Sequence, residues 1–567
     1  MSRDTAEDPE KTSSIFNLQL QKLSEMGSKQ SVLKDHGYEL VSEQDKMMLV
    51  KNESGDQFVI KELNTNQDDL SNFLQKLNHP HIVHHNEIIP DHDCLYLLLD
   101  HCEGGDLAGI KGTDINSEIL DWTVKICMAL KHLHDQQILH KNLQPKSIFF
   151  TACGTIRLGE FGEIREWSTK AHTAETEALS YVAPENLNGN PFDEKSEIWS
   201  LGCVIYEMCM QKCAFTGRST VEIITKILTC SYEALPETFS EDLRQLVKDT
   251  LQIDPANRPS VSEILMRPFT ITHLHKKCTE TIEELYGRLN VLEELAKGLE
   301  TVHYNTTVGS LAGGVIGLAG GITSVVGLIL TPFTLGASLI VTGVGIGVAV
   351  AGGVASGASN ITKMVNQRTD RQKIKIIITE LQEKIASTSS CIQNIQIAVE
   401  TQKVLSENRE SYSNAQSGTD WANVGARLGR GLGGIAELIR LTQVASVGRV
   451  AAQTARVVRV AEAATGVLTG LFVAVDVLFI ALDAKEIHKL RRDYASIAAQ
   501  QESEIAAANT ENESNQTPNN ARKLQELQSE IMKFVKKIRE TKEELKKIID
   551  ELNVELQNLD AQYVILS

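Results

Sequence analysis

The sequence predicts a multidomain chain, α+β first and all-α after it. Three observations predict this. At 567 residues the chain is longer than one hydrophobic core supports. Residues 34–270 have a mixed globular composition and hold most of the prolines; nine of the ten cysteines fall there or just after. Beyond 270, apolar residues recur at helical spacing, broken by a long charge-free block and closed by a seven-residue repeat.

Charge and cysteine usage narrow the classes. Lys plus Arg is 56 and Asp plus Glu is 74, so the formal charge is −18. Such a chain is not expected to bind nucleic acid. The start, "MSRDTAEDPEK", has no apolar run, so no secretory signal is expected. The cysteines show no CxxC pair, which predicts reduced thiols in a cytosolic protein and no metal site. With the charge-free block, a cytoplasmic, membrane-associated protein is expected, and secretion is not.

The elements follow in order. Residues 1–33 are a polar N-terminal segment, and 34–270 form the mixed domain. Residues 271–306 read as a connecting helix, with Ile282, Leu285, Leu289, Leu292 and Leu295 on one face. Between Glu300 and Lys363 there is no charged residue. Residues 371–405 form a second amphipathic helix (Ile374, Ile377, Leu381, Ile385), followed by a loop, "ENRESYSNAQSGT". A helical, membrane-active region is expected over 307–500, a polar linker over 501–520 and a terminal helix over 521–562.

The mixed domain carries seven motifs in a fixed order: "FVIK" with Lys61, "HPHIV" (79–83), "LHKNLQPKSIFF" (139–150), "IRLGEFGEIR" (156–165), "YVAPE" with Glu185, "KSEIWSLGCVIYEM" with Glu197, and "NRPS" with Arg258. Together they resemble a bilobal protein kinase, and the segment around Phe161 is most similar to NIMA-related Ser/Thr kinases. The resemblance implies a phosphate-pairing role for Lys61. It implies scaffold roles for His140, Phe161, Glu185, Glu197 and Arg258.

The positions that do chemistry depart from that pattern. The glycine-rich loop aligns with "LVSEQDKMMLV", where Ser42, Gln44 and Met47 fill the glycine slots. Leu70 fills the slot of the helix glutamate that pairs with the lysine, with Asp69 adjacent. Asn142 replaces the catalytic aspartate, and an amide has no useful basicity. Gln144 replaces the loop lysine, Ser147 the metal-binding asparagine and Glu160 the metal-binding aspartate. Phosphoryl transfer depends on these groups acting together. A pseudokinase that binds a protein partner is therefore expected. No cofactor is expected, and Mg-ATP only if residual nucleotide binding through Lys61 and Glu160 survives. The rival is an active, membrane-tethered Ser/Thr kinase.

The charge-free block divides into 308–330 and 335–359, each long enough to span a bilayer (about 20 residues). Pro332 stands between them at a hairpin turn, and Gly313, Gly317, Gly321, Gly343 and Gly347 recur at four-residue spacing, as closely packed helices require. The alternatives are a membrane hairpin and a buried hairpin of a soluble bundle. A third apolar stretch, 463–482, contains one charge, Asp476. That carboxylate either faces a polar lumen, or is protonated on insertion, or meets an arginine in an ordinary bundle. An Arg-rich amphipathic segment precedes it, fit for an anionic surface; its G-x-G-x-x-G spacing lacks a βαβ setting and is discounted.

The tail repeats Leu524, Ile531, Ile538, Leu545, Leu552 and Leu559, with Thr541 and Glu555 interrupting a second seam. This is a coiled coil, with self-association through 521–560, or a helix docked on its own domain. The third functional alternative is accordingly a coiled-coil scaffold.

From 271 to 567 the wording resembles the apolipoprotein L family: "LNVLEELAKGLETVHYNTT", then "LTPFTLGASL", then "GVLTGLFVAVDVLFIALDAKEI". The resemblance implies a lipid-binding, membrane-inserting helical domain with an apolar hairpin. It also implies channel formation in some members, lipid transport, and roles in cell death or defence.

Overall fold

The computed structural model describes residues 31–44, 47–63, 74, 77–91, 94–110, 117–160, 176–309, 359–415, 456–481 and 517–566. Leu70, Phe161, Gly313, Gly317, Gly321, Pro332, Gly343 and Gly347 lie outside the described residues, as do both apolar segments of the expected hairpin and most of the Arg-rich stretch.

The first lobe is an antiparallel sheet of β1 (Tyr38–Gln44), β2 (Met47–Asn52), β3 (Gln57–Leu63), β4 (His85–Asp91) and β5 (Cys94–Asp100), in the order β1-β2-β3-β5-β4. Its strands alternate between two cores, as a period of two requires. Tyr96 and Leu98 join Met48, Val50, Ile60 and Ile89 on one face, while Leu95 and Leu97 face the larger core.

The second lobe is helical. It contains α1 (Ile119–Asp135), the short pair β6 (Ile148–Phe150) and β7 (Ile156–Leu158), then α2 (Glu194–Met210), α3 (Thr220–Leu228) and α4 (Glu241–Thr250). Asp193 caps α2 through the Ser196 N–H at 3.0 Å, and α2 is buried along most of its length. Trp199 stacks on Phe215 at 5.3 Å. Gly202 lets α2 meet α4, since a Cβ there would lie 2.5 Å from the Thr250 hydroxyl.

Four long helices follow: α5 (Pro268–Gly309), α6 (Ser359–Ala415), α7 (Arg456–Ala481) and α8 (Thr517–Leu566). Helix α5 begins with Pro268, a residue suited to a first turn, so it starts inside the region assigned to the mixed domain. It is not a mere connector. Ile282, Leu285, Leu289, Leu292 and Leu295 are all buried in a core continuous with the helical lobe. Helix α6 runs into the expected loop as far as Ala415, because that stretch has no Pro or Gly before Gly418. Helix α8 starts at Thr517, within the expected linker.

From Ile531 onward the terminal repeat is buried within the chain. Ile531, Ile538, Leu545, Leu552 and Leu559 are buried where α8 packs along α5 and α6. Ion pairs fix the register: Arg539 with Glu300 at 2.6 Å and Lys542 with Glu293 at 2.9 Å. The interrupting Glu555 pairs with Arg456 of α7 at 2.9 Å, and Thr541 is fully buried. Asp476 meets an arginine: it accepts from Arg371 Nη2 at 2.9 Å and lies 3.3 Å from Lys375, both on α6.

Candidate functional site

The cleft segment 139–147 is held from below by α2. Glu197, fully buried, accepts the Lys141 N–H at 2.7 Å and faces His134 Nε2 at 2.7 Å. Such charge-assisted contacts are stronger than neutral ones. They hold Lys141 at φ 59°, a strained conformation for a residue with a side chain. His140 is fully buried beside them, its Nδ1 accepting the Asn142 N–H at 3.2 Å, and burial drives its imidazole down to about 4.

Above this floor the altered residues bond to one another. Asn142 donates its side-chain amide to the Glu160 carbonyl at 3.0 Å and accepts from Gln144 Nε2 at 2.8 Å. The Ser147 hydroxyl shares its proton between the carbonyls of Asn142 (2.7 Å) and Gln144 (2.9 Å) and accepts the Gln144 N–H at 3.2 Å. Ser147 is fully buried in a 3-10 turn, Pro145–Ser147, so its oxygen faces the loop interior. Glu160 is at φ 54°, held in part by the Asn142 bond to its carbonyl.

The roof is equally altered. The β1–β2 pairing shifts between Leu40 and Ser42, and the ladder then continues to the tip, with Ser42 facing Leu49, Glu43 facing Met48 and Gln44 facing Met47. Two glycine slots therefore sit within β1 and the third opens β2. Lys61 lies on β3, between Met47 of β2 and Leu97 of β5. The structure thus gathers Asn142, Gln144, Ser147 and Glu160 into one network. As built, this network has no basic group at the Asn142 position.

The scaffold residues come together away from the cleft. Arg258, fully buried, donates to both oxygens of Glu185 at 2.7 and 2.8 Å and lies 5.1 Å over the Trp199 ring. Burial raises the Glu185 carboxyl, but the Arg258 hydrogen bonds outweigh it and hold the group below the usual range.

Sequence reasoning missed the brace beside this site. Helix α6 lies across both lobes. Lys375 reaches Asp56 in the β2–β3 turn at 3.3 Å, and Glu383 accepts from Thr151 and Arg157, each at 2.9 Å. Ser387 contacts His81 at 3.1 Å and Ser390 contacts His79 at 3.3 Å. Nothing in a helical repeat announces such partners more than 200 residues away.

Residues 45–270 match the family model of the protein kinase domain, and 276–493 match that of apolipoprotein L. Curated relatives include the serine/threonine-protein kinase Nek1 of Mus musculus, 37% identical over 248 residues, covering 41% of this chain and 21% of that protein. Nek5 of Homo sapiens is 33% identical over 227 residues, covering 38% of this chain and 32% of its own. Nek3 of Mus musculus is 34% identical over 264 residues, covering 44% and 51%. The chain thus spans between about a fifth and a half of the length of these relatives. Helix α8 lies beyond the apolipoprotein L match, although it packs on a helix within it.

Proposed function

We propose, for a chain that joins a NIMA-related kinase-like domain to an apolipoprotein L domain, that the kinase-like part is a non-catalytic regulatory module. The helical part binds and inserts into lipid. The observation that carries the first half is the closed network of Asn142, Gln144, Ser147 and Glu160. A phosphoryl-transfer site needs a carboxylate base and oxygen ligands aimed at metal ions. Here the base position is an amide, and the Ser147 oxygen faces the loop's own carbonyls. The module then serves as a protein-binding surface braced by α6.

The second half is supported by the apolipoprotein L match and by α7, whose 26 residues are long and apolar enough to cross a membrane. Its outer face exposes Val473, Val477 and Ile480. Channel formation and a part in cell death or defence are extensions of this lipid reading.

Two assays on the intact chain test the halves separately. Addition of Mg-ATP is expected to leave the melting temperature unchanged. A rise that Lys61→Ala abolishes supports the tethered-kinase alternative instead. Vesicles of anionic phospholipid are expected to bind the chain; absence of binding from neutral to acidic pH overturns the lipid half.

A further inference from the structure

The contact between α6 and the kinase-like domain is built around imidazoles, and its hydrogen bonds fix their tautomers. His81 is fully buried; its Nδ1 lies 3.0 Å from the Ile156 carbonyl and must carry a proton to donate to it. Its Nε2 is therefore the acceptor, and the Ser387 hydroxyl of α6 donates to it at 3.1 Å. His79 is the reverse. Its Nδ1 accepts the His81 backbone N–H at 3.2 Å, so the proton sits on Nε2 and is donated to Ser390 of α6 at 3.3 Å. A second proton on His79 would set two N–H groups against each other. A second proton on His81 would displace the Ser387 donor.

The surroundings on balance oppose charge. His79 stacks on His132 of α1 at 5.1 Å and packs edge-on against His81 at 5.6 Å, with Lys131 near. Around His81 stand Lys125 and Arg157. The nearby Asp121 is already paired with Lys125 at 2.6 Å and faces His273 of α5 at 3.4 Å. From α6 the facing acid is Glu383, which pairs with Arg157. Burial, then the charges of His81, His132 and Lys131, holds His79 well below the usual imidazole range; burial pushes His81 down to about 3.

We propose that the contact of α6 with the kinase-like domain is a proton-operated latch, closed at neutral pH and released as His79 and His81 take up protons. The sign follows from the neutral tautomers. The docked state binds fewer protons than the released one, so docking is strongest above about pH 6.5 and weakens as pH falls below it, up to tenfold per unit for each imidazole. The release would detach α6 from both lobes, while α5 stays packed on the helical one. This adds a control to the regulatory role proposed above. A chain that phosphorylates substrates would end that reading and leave the pH response as it is.

Hydrogen exchange on the intact chain tests the latch. Amides of α6 over 371–399 are compared with those of α2 at pH 7.4 and 5.4, after correction for intrinsic rates. Opening of α6 is expected to rise up to about a hundredfold at the lower pH for two imidazoles, with α2 unchanged. His79→Gln with His81→Gln should flatten that response. An α6 opening that stays level with α2 in the wild-type chain overturns the proposal, whatever the variant does. So does a doubly substituted chain, protected at pH 7.4, that keeps the full acid response.

Discussion

The side-chain amide of Asn142 donates to the backbone carbonyl of Glu160 at 3.0 Å, joining the residue in the base slot to the residue in the metal-ligand slot. The bond needs an N–H where kinases carry a carboxylate. Asn142→Asp therefore loses a donor and turns a negative oxygen toward a carbonyl, at a cost of about 1–3 kcal/mol. The variant is expected to melt at lower temperature and to gain no phosphotransfer, because Gln144 and Ser147 still close the loop. Restored activity from this one change contradicts the account of the network.

Arg258 is fully buried, with both oxygens of Glu185 as partners. Glu185→Gln leaves an uncompensated buried guanidinium, which costs about 3–5 kcal/mol. Denaturant unfolding of the intact chain, followed by tryptophan fluorescence, should show a destabilised kinase-like transition. A loss below about 1 kcal/mol would mean that the Gln252, Ile253 and Lys195 carbonyls suffice for Arg258. The Glu185 carboxyl is held low, so this pair contributes above the ordinary glutamate range and is lost only as pH falls beneath it. Acid thus acts here well below the window of His79 and His81 at the α6 contact.

Glu383 joins α6 to Thr151 and Arg157, and Arg157 keeps a second partner, Asp100, at 2.8 Å. Glu383→Gln should therefore weaken docking by about 1–3 kcal/mol without exposing a lone charge. Limited proteolysis at neutral pH is expected to cut within 371–399 faster than in the parent chain, with cutting in α2 unaltered. Equal rates would show that the apolar contacts alone hold α6.

Thr541 sits fully buried in the α8 repeat, and its hydroxyl has no hydrogen-bond partner among the described residues. Thr541→Val keeps the shape and removes that polar group, so the helical domain should gain about 1 kcal/mol. A raised melting temperature at constant monomer mass fits a seam filled by α5 and α6. A lowered one fits a hydroxyl with a role that the packing does not reveal.

Much of this was legible in the sequence because the relevant residues are local. Asn142, Gln144 and Ser147 lie within one short loop, and the helices follow apolar spacing. The repeat in α8 was equally legible, but not its partner, since the same pattern serves a docked helix and a coiled coil. Asp476 left three alternatives open, and its partners on α6, Arg371 and Lys375, lie too far away in the chain to be read from the sequence. The α6 contacts were invisible for a simpler reason. Serines and a glutamate on a helix read as its solvated face unless the surface they meet is known.

The most direct test is transfer of labelled γ-phosphate from Mg-ATP to a generic Ser/Thr substrate by the intact chain, beside Lys61→Ala. The account predicts the same background incorporation from both proteins. Incorporation by the parent chain that Lys61→Ala abolishes would contradict it, and would make the cleft a working kinase site despite Asn142.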